Sequence, residues 1–352
     1  MPFTTTSPHY SKPLFFFKLL FYCYLLKRVT APAFASPTAS LYSRELDARA
    51  RAVTNATKAG LAWPNGDSDD IKQFLSTEKV SWYYSWSPTG GVKEDIEYVP
   101  MLWGERQIDE FTATINQTIS DLKVSHVLGM NEPQEKGQSN LTPQQGAEMW
   151  KKYLEPLRAQ GIRLGSPAPS SAPSGKIWIQ DFLEACGGGC TVDFIVVHYY
   201  DVNATDFIRY LEDHHNTFQR PIWVTEWACQ NFNQANKQCS QDDINLFLNK
   251  TQSFMDETEW VERYSWFGPL RDMQGVNQGD ALMDPSGKIT DLGLQYIGAK
   301  NATTSGSGNA DGPNAPGGGS SGGGNGGSTI KASVVLAMTI SFVCGLMLQQ
   351  FA

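Results

Sequence analysis

Between residues 56 and 300 the chain alternates short apolar runs with longer stretches in which apolar residues recur every three or four positions. The short runs are AGLAW near 59, VSWYYSW from 80, IEYVPMLW from 96, VSHVLGM from 124, IRLGSPA from 162, VDFIVVHYY from 192, PIWVTEW from 221 and VERYSWF from 261. Their length and their β-branched and aromatic content predict eight strands. Helices fit between them. TPQQGAEMWKKYLEPLRAQG (142–161) opens at Thr142-Pro143 and closes at Gly161, and SQDDINLFLNKTQSFMDE (240–257) has Ser240 as its N-cap. Eight strands alternating with helices predict an α/β chain folded as a (β/α)8 TIM barrel, one domain over residues 56–300. A doubly wound open sheet would carry a Gly-rich phosphate loop after its first strand, where this chain reads LAWPNGDSDD.

The ends break the alternation. Residues 14–26, LFFFKLLFYCYLL, form an apolar run followed by Ala33-Phe34-Ala35, a small-x-small cleavage pattern, so 1–35 reads as a signal peptide. An uncleaved signal anchor is the rival, since Lys27 and Arg28 follow the apolar run. Residues 36–55 read as a pro-segment or linker. Residues 301–328 are rich in Gly, Ser and Asn and predict a flexible linker. The apolar run 334–348 is short for a membrane span, and 329–352 reads as a glycosylphosphatidylinositol-anchor signal with attachment at Ser321 or Asn325. A plain single-span anchor is the alternative. The expected location is secreted, at the cell surface or wall, held on the plasma membrane by that anchor.

Composition agrees with export. Removing the two ends leaves Cys186, Cys190, Cys229 and Cys239, an even number suited to an oxidising compartment. Three pairings are open, and the local ones, Cys186–Cys190 and Cys229–Cys239, are favoured. The GGG between the first pair and the lack of a nearby histidine argue against zinc. Six N-x-[ST] sequons begin at Asn55, Asn116, Asn140, Asn203, Asn249 and Asn301. A net charge of −8 without basic clusters argues against a nucleic-acid partner. No metal or cofactor is called for, and oligomeric state leaves no trace in the sequence.

In a barrel of this kind, chemistry gathers at the carboxyl ends of the strands. The run HVLGMNEPQ (126–134) ends in Asn131-Glu132-Pro133, and PIWVTEW places Glu226 at the end of strand seven. His198 and Tyr200 end strand six on one face; Trp86, Trp103 and Trp266 end strands two, three and eight. A glutamate after one strand is ordinarily a loop residue, and a lone histidine is ordinarily core. Two such glutamates on strands four and seven suit glycosidic hydrolysis, which needs one carboxyl to protonate the leaving oxygen and another to attack the sugar. Asn131 could bond a sugar 2-hydroxyl, and Tyr200 could donate to the nucleophile.

GMNEP (129–133) resembles the strand-four acid/base motif of the clan A barrel glycosidases. VSWYYSWSP (80–88), YVPMLWG (98–104), LGMNEPQ (128–134), VHYYD (197–201) and PIWVTEWAC (221–229) together resemble the fungal endo-β-1,3-glucanases of glycoside hydrolase family 128, over residues 58–300. The resemblance implies Glu132 as acid/base and Glu226 as nucleophile. It implies glucan subsites from strand-end aromatics, with Tyr84, Trp86, Trp103, Trp227 and Trp266 as candidates beside Asn131, His198 and Tyr200. Tyr199 in place of tryptophan and Trp227 in place of phenylalanine are departures that bear on the subsites. The expected function is a retaining endo-β-1,3-glucanase acting on fungal cell-wall glucan. A β-1,4- or mixed-linkage glucanase and a non-catalytic glucan-binding surface protein are the alternatives.

Overall fold

A computed structural model describes residues 57–302 together with 310 and 311. Eight parallel strands appear in chain order: β1 (Ala59–Ala62), β2 (Val80–Tyr84), β3 (Glu97–Tyr98), β4 (His126–Leu128), β5 (Arg163–Gly165), β6 (Ile195–Asp201), β7 (Ile222–Cys229) and β8 (Val261–Tyr264). Six form one sheet in the order β3-β2-β1-β8-β7-β6, and β4 and β5 form a second. Bridges from Met101 to Leu128 and from Gly165 to Phe194 join the edges of the smaller sheet to the larger. Helices α1 (Ile108–Asp121), α2 (Pro143–Met149), α3 (Pro173–Cys186), α4 (Ala204–Phe218), α5 (Gln241–Glu257) and α6 (Asp291–Tyr296) lie between or after them.

Local chemistry explains most of the boundaries. Ser240 and Thr142 each form a capping box with the residue three places on, Asp243 and Gln145, so two orphan amides are satisfied at each helix start. The predicted helix over 142–161 is not uniform. It is α-helical only to Met149, widens to a π-turn over Trp150–Leu154 and tightens to 3-10 over Glu155–Gln160. Pro156 has no N–H to continue the ladder and crowds the preceding turn, which fits the change of pitch. Strand three is shorter than its apolar run, because Pro100 offers no donor for pairing.

Two apolar layers sit on opposite sides of the strands. Trp82, Tyr84, Met101, Leu128, Phe194, Val196 and Trp223 pack together on one side. Alternate residues such as Tyr83, Val127, Ile195, Val197 and Val224 join a larger cluster with Phe111, Trp178, Phe182, Phe207 and Phe247 from the helices.

At the amino ends of the strands lies a buried ionic group. Arg163 donates both terminal nitrogens to Glu262 at 3.0 Å, and Trp223 Nε1 adds a donor at 2.9 Å. Glu97 accepts from Arg263 at 2.5 Å and lies 2.7 Å from His126 Nδ1. Burial opposes the charge on Glu97, but His126 and Arg263 outweigh it and hold the carboxyl far below its ordinary range.

The disulfides Cys186–Cys190 and Cys229–Cys239 are both formed, as the local pairing predicts. Asn116, Asn140, Asn249 and Asn301 are exposed, while half-buried Asn203 caps α4 by accepting from Asp206 N–H at 2.9 Å. Ala310 and Asp311 lie against the start of α4: Ala310 O accepts from Ala204 N–H at 3.1 Å, and Asp311 binds Lys250 at 2.9 Å. Among the described residues no helix is long and apolar enough to cross a membrane. The expected signal, pro-segment and anchor signal, with Asn55, Ser321 and Asn325, lie outside the described residues, as does all of the expected linker except its first two residues and 310–311.

Candidate active site

Glu132 follows β4 in a backbone conformation that side chains rarely adopt, with φ 39°. Its N–H donates to Ala168 O at 2.7 Å, and Asn131 pairs with Ala168, so the neighbouring strand holds the turn in place. The same signature recurs at Trp86, where φ is 55° beyond the end of β2. Such strain persists only where the surroundings over-determine it, and here both cases border one cluster of side chains.

Glu226 reaches that cluster through a step in strand register. Val197 pairs with Val224 but His198 pairs with Glu226, so Thr225 is an extra residue on β7. A bulge of this kind re-aims the side chain beyond it. Both carboxylate oxygens of Glu226 then accept hydrogen bonds, Oε1 from Trp86 Nε1 at 2.8 Å and Oε2 from the Tyr200 hydroxyl at 2.7 Å.

His198 lies between the two acids. Its Nδ1 is 3.0 Å from Glu132 Oε1 and 3.5 Å from Glu226 Oε2, and its Nε2 is 3.0 Å from Thr225 Oγ1. One oxygen from each glutamate and one His198 nitrogen lie within 4.8 Å of one another. Three such donors could hold a cation. Here, however, each Glu226 oxygen already has a donor and His198 Nε2 faces Thr225, so the geometry is that of a proton-sharing group.

Burial pushes the Glu132 carboxyl up, and the nearby Glu226 and Glu135 add to that against the opposing pull of His198. For His198, burial opposes the charge, but Glu226 and Glu132 outweigh it and raise its affinity for a proton. Glu132 is thereby suited to carry a proton near neutral pH, as a general acid must.

The remaining expected residues divide. Asn131 is buried next to Glu132; its Nδ2 donates to Gln138 at 3.2 Å, and its buried Oδ1 has no partner among the described residues. Trp103 belongs to the cluster against which Trp86 packs and carries Arg106 over its ring at 4.2 Å. Tyr84 is fully buried and donates to Thr225 O at 2.9 Å, so it supports the site from beneath and does not line it.

Trp227 and Trp266 are corrections. Trp227 follows Glu226 and therefore points to the other side of β7, where it packs on Trp266 and Tyr264 and donates to Thr251 on α5. Trp266 is fully buried against Phe247 and donates to Asp280 O. The ring that instead borders Trp86 and Tyr200 is the buried Phe267, 6.0 Å from the first and 5.9 Å from the second. Phe232, an exposed ring 5.3 Å from Tyr200 in the loop closed by Cys229–Cys239, was also missed. Its only sequence signal is an aromatic residue inside a short Cys-bounded loop.

Asp280, beside this loop, offers a measurable effect. Its Oδ1 accepts from Cys229 N–H at 3.1 Å, and burial pushes its carboxyl up to about 8. The unfolded group titrates near 3.8, so its contribution is whole below that pH and is lost as pH rises towards 8. The loss is up to about 1.4 kcal/mol per pH unit. Asp280→Asn keeps an oxygen for Cys229 and is expected to become progressively more stable than the parent between pH 5 and pH 8, read by urea unfolding at each pH. A difference that stays constant with pH would contradict this assignment.

The description "glycosyl hydrolase catalytic core" belongs to the family that matches residues 60–296. Alkali-sensitive linkage protein 1 of Schizosaccharomyces pombe (strain 972 / ATCC 24843) is 32% identical over 247 residues, which cover 68% of this chain and 44% of that protein. The chain thus spans less than half the length of this relative. A GH128 (subgroup III) curdlan-specific exo-β-1,3-glucanase from Blastomyces gilchristii, solved with glucose, is 32% identical with a TM-score of 0.58, covering 68% of this chain and 97% of its own. A GH128 (subgroup I) endo-β-1,3-glucanase from Amycolatopsis mediterranei, solved with laminaritriose, is 27% identical with a TM-score of 0.58, covering 70% and 100%.

Proposed function

The chain belongs to the glycosyl hydrolase catalytic core family, and from that premise we propose that it is a glycoside hydrolase, specifically a retaining endo-β-1,3-glucanase. The observation that carries the proposal is the pair of carboxyls, Glu132 after β4 and Glu226 on β7, facing one nitrogen of His198. Their closeness favours direct attack on the sugar, since inverting enzymes hold the pair about 6.5–9.5 Å apart to admit a water.

In the first step a Glu226 oxygen bonds to the anomeric carbon, the glycosidic bond breaks, and Glu132 gives its proton to the leaving oxygen. In the second, water passes a proton to Glu132 and bonds to the same carbon, and Glu226 departs. Trp86 and Tyr200 hold the Glu226 oxygens for the attack. The nature of the substrate is inferred from relatives that are β-1,3-glucanases. The circuit of bridged parallel strands is best read as the closed (β/α)8 barrel. Export to the cell surface with a lipid anchor, and action on the organism's own wall glucan, follow from the end segments and belong to the same proposal.

The test is product analysis on linear β-1,3-glucan, with the anomeric configuration of the first product followed by proton NMR. A ladder of oligosaccharides that emerge as β-anomers is expected. First-formed α-anomers would overturn retention, and glucose as the sole early product would replace endo by exo action. Binding without cleavage would favour the non-catalytic alternative, and cleavage confined to β-1,4 or mixed-linkage glucan would transfer the mechanism to that substrate.

A further inference from the structure

Gln107 ends the short turn Glu105–Gln107 just before α1, outside the group of residues that meet at Glu226 and Glu132. Its side-chain amide nevertheless spans the ends of two strands. Nε2 donates to Trp86 O at 2.9 Å, and Oε1 accepts from Trp103 N–H at 3.0 Å. Trp86 O can only accept and Trp103 N–H can only donate, so the amide orientation is fixed by its partners.

Each partner leads to one of the two acids. Trp86, at φ 55°, delivers its indole N–H to Glu226 Oε1. Trp103 O accepts from Asn131 N–H at 3.0 Å, and the next residue is Glu132. We propose that Gln107 is a positioning residue that holds the Trp86 backbone in its left-handed conformation, so that the indole N–H stays on Glu226, and that ties this frame to the strand end preceding Glu132. The side chain needs both a donor and an acceptor at one site, which glutamine supplies and glutamate or leucine does not.

This inference rests on the reading of Glu226 as nucleophile, and its test has one readout that needs no substrate. Full-length parent, Gln107→Leu, Gln107→Glu, Trp86→Phe and the double variant Gln107→Leu/Trp86→Phe would be compared. The Trp86 indole N–H resonance, identified by its loss in Trp86→Phe, is expected to move upfield in both Gln107 variants as its hydrogen bond to Glu226 weakens.

On linear β-1,3-glucan oligosaccharides, Gln107→Leu is expected to lower kcat by about tenfold to a hundredfold, with KM changed by less than about twofold. In the Trp86→Phe background the same change is expected to cost much less, because the part of its effect that runs through the indole bond to Glu226 is already lost and only the tie through Trp103 to the strand end before Glu132 remains. An unmoved indole resonance in a folded variant would overturn the inference, and so would equal losses in the two backgrounds. Gln107→Glu retains the acceptor for Trp103 and serves where the leucine variant fails to fold. Absence of activity in the parent on every β-glucan would sink the proposed function, while the resonance would still decide the role of Gln107.

Discussion

Replacing Glu226 by alanine is expected to lower kcat on β-1,3-glucan by roughly four to six orders of magnitude, the scale seen when a covalent nucleophile is removed. Glu226 is nearly buried, and both its oxygens are held by donors from other strands, Trp86 on one side and Tyr200 on the other. No other carboxyl among the described residues is held by these two donors, so none is placed to take over the attack. The substitution leaves a small space lined by two unsatisfied donors and by His198, which suits a small anion. Azide is therefore expected to restore turnover and to bond to the anomeric carbon from the vacated side, giving an α-glycosyl azide detectable by NMR. A β-glycosyl azide, or an alanine variant within tenfold of the parent, would remove Glu226 from the nucleophile role.

Glu132→Gln is expected to cost about 10²- to 10⁴-fold in kcat on glucan, the range for a lost general acid. The loss should shrink on aryl glycosides whose leaving group departs without a proton. Burial raises the Glu132 carboxyl, so the parent should keep its acid form to higher pH than an exposed glutamate would, and should lose activity as pH rises through that raised value. In Glu132→Gln this alkaline limb is expected to vanish from the profile measured on the aryl glycoside. An unchanged limb would assign it to another group, with His198 the nearest candidate.

Much of the fold and the outline of the site were legible in the sequence. Apolar runs located all eight strands, and the capping residues Ser240 and Thr142 stand where their side chains fix helix starts. Two glutamates at strand ends pointed to the pair of carboxyls that the structure brings together beside His198. The failures share a cause: a one-residue choice of face. Trp227 and Trp266 point away from Glu226, while Phe267 reaches Trp86 and Tyr200 beside it, because the side of a strand is set by register and not by residue type. The bulge at Thr225 is likewise invisible without a partner strand. Gln107 could not be found from the chain alone, since its two partners are 21 and 4 residues away and their convergence is purely tertiary.

The ionic group at the amino ends of the strands bears on how the chain can be divided. Arg163 and Glu262 are 99 residues apart, and Arg263 and Glu97 are 166 apart. Removing one member of a buried ion pair typically costs about 3–5 kcal/mol, because the other charge is left without a partner. Any piece of the chain that stops before Glu262 carries Arg163 without Glu262 and leaves Glu97 with His126 but without Arg263. The strands are thereby made interdependent across nearly the whole domain: a nascent chain emerging from the ribosome cannot complete the Arg163–Glu262 and Arg263–Glu97 pairs until its final strand has been synthesised.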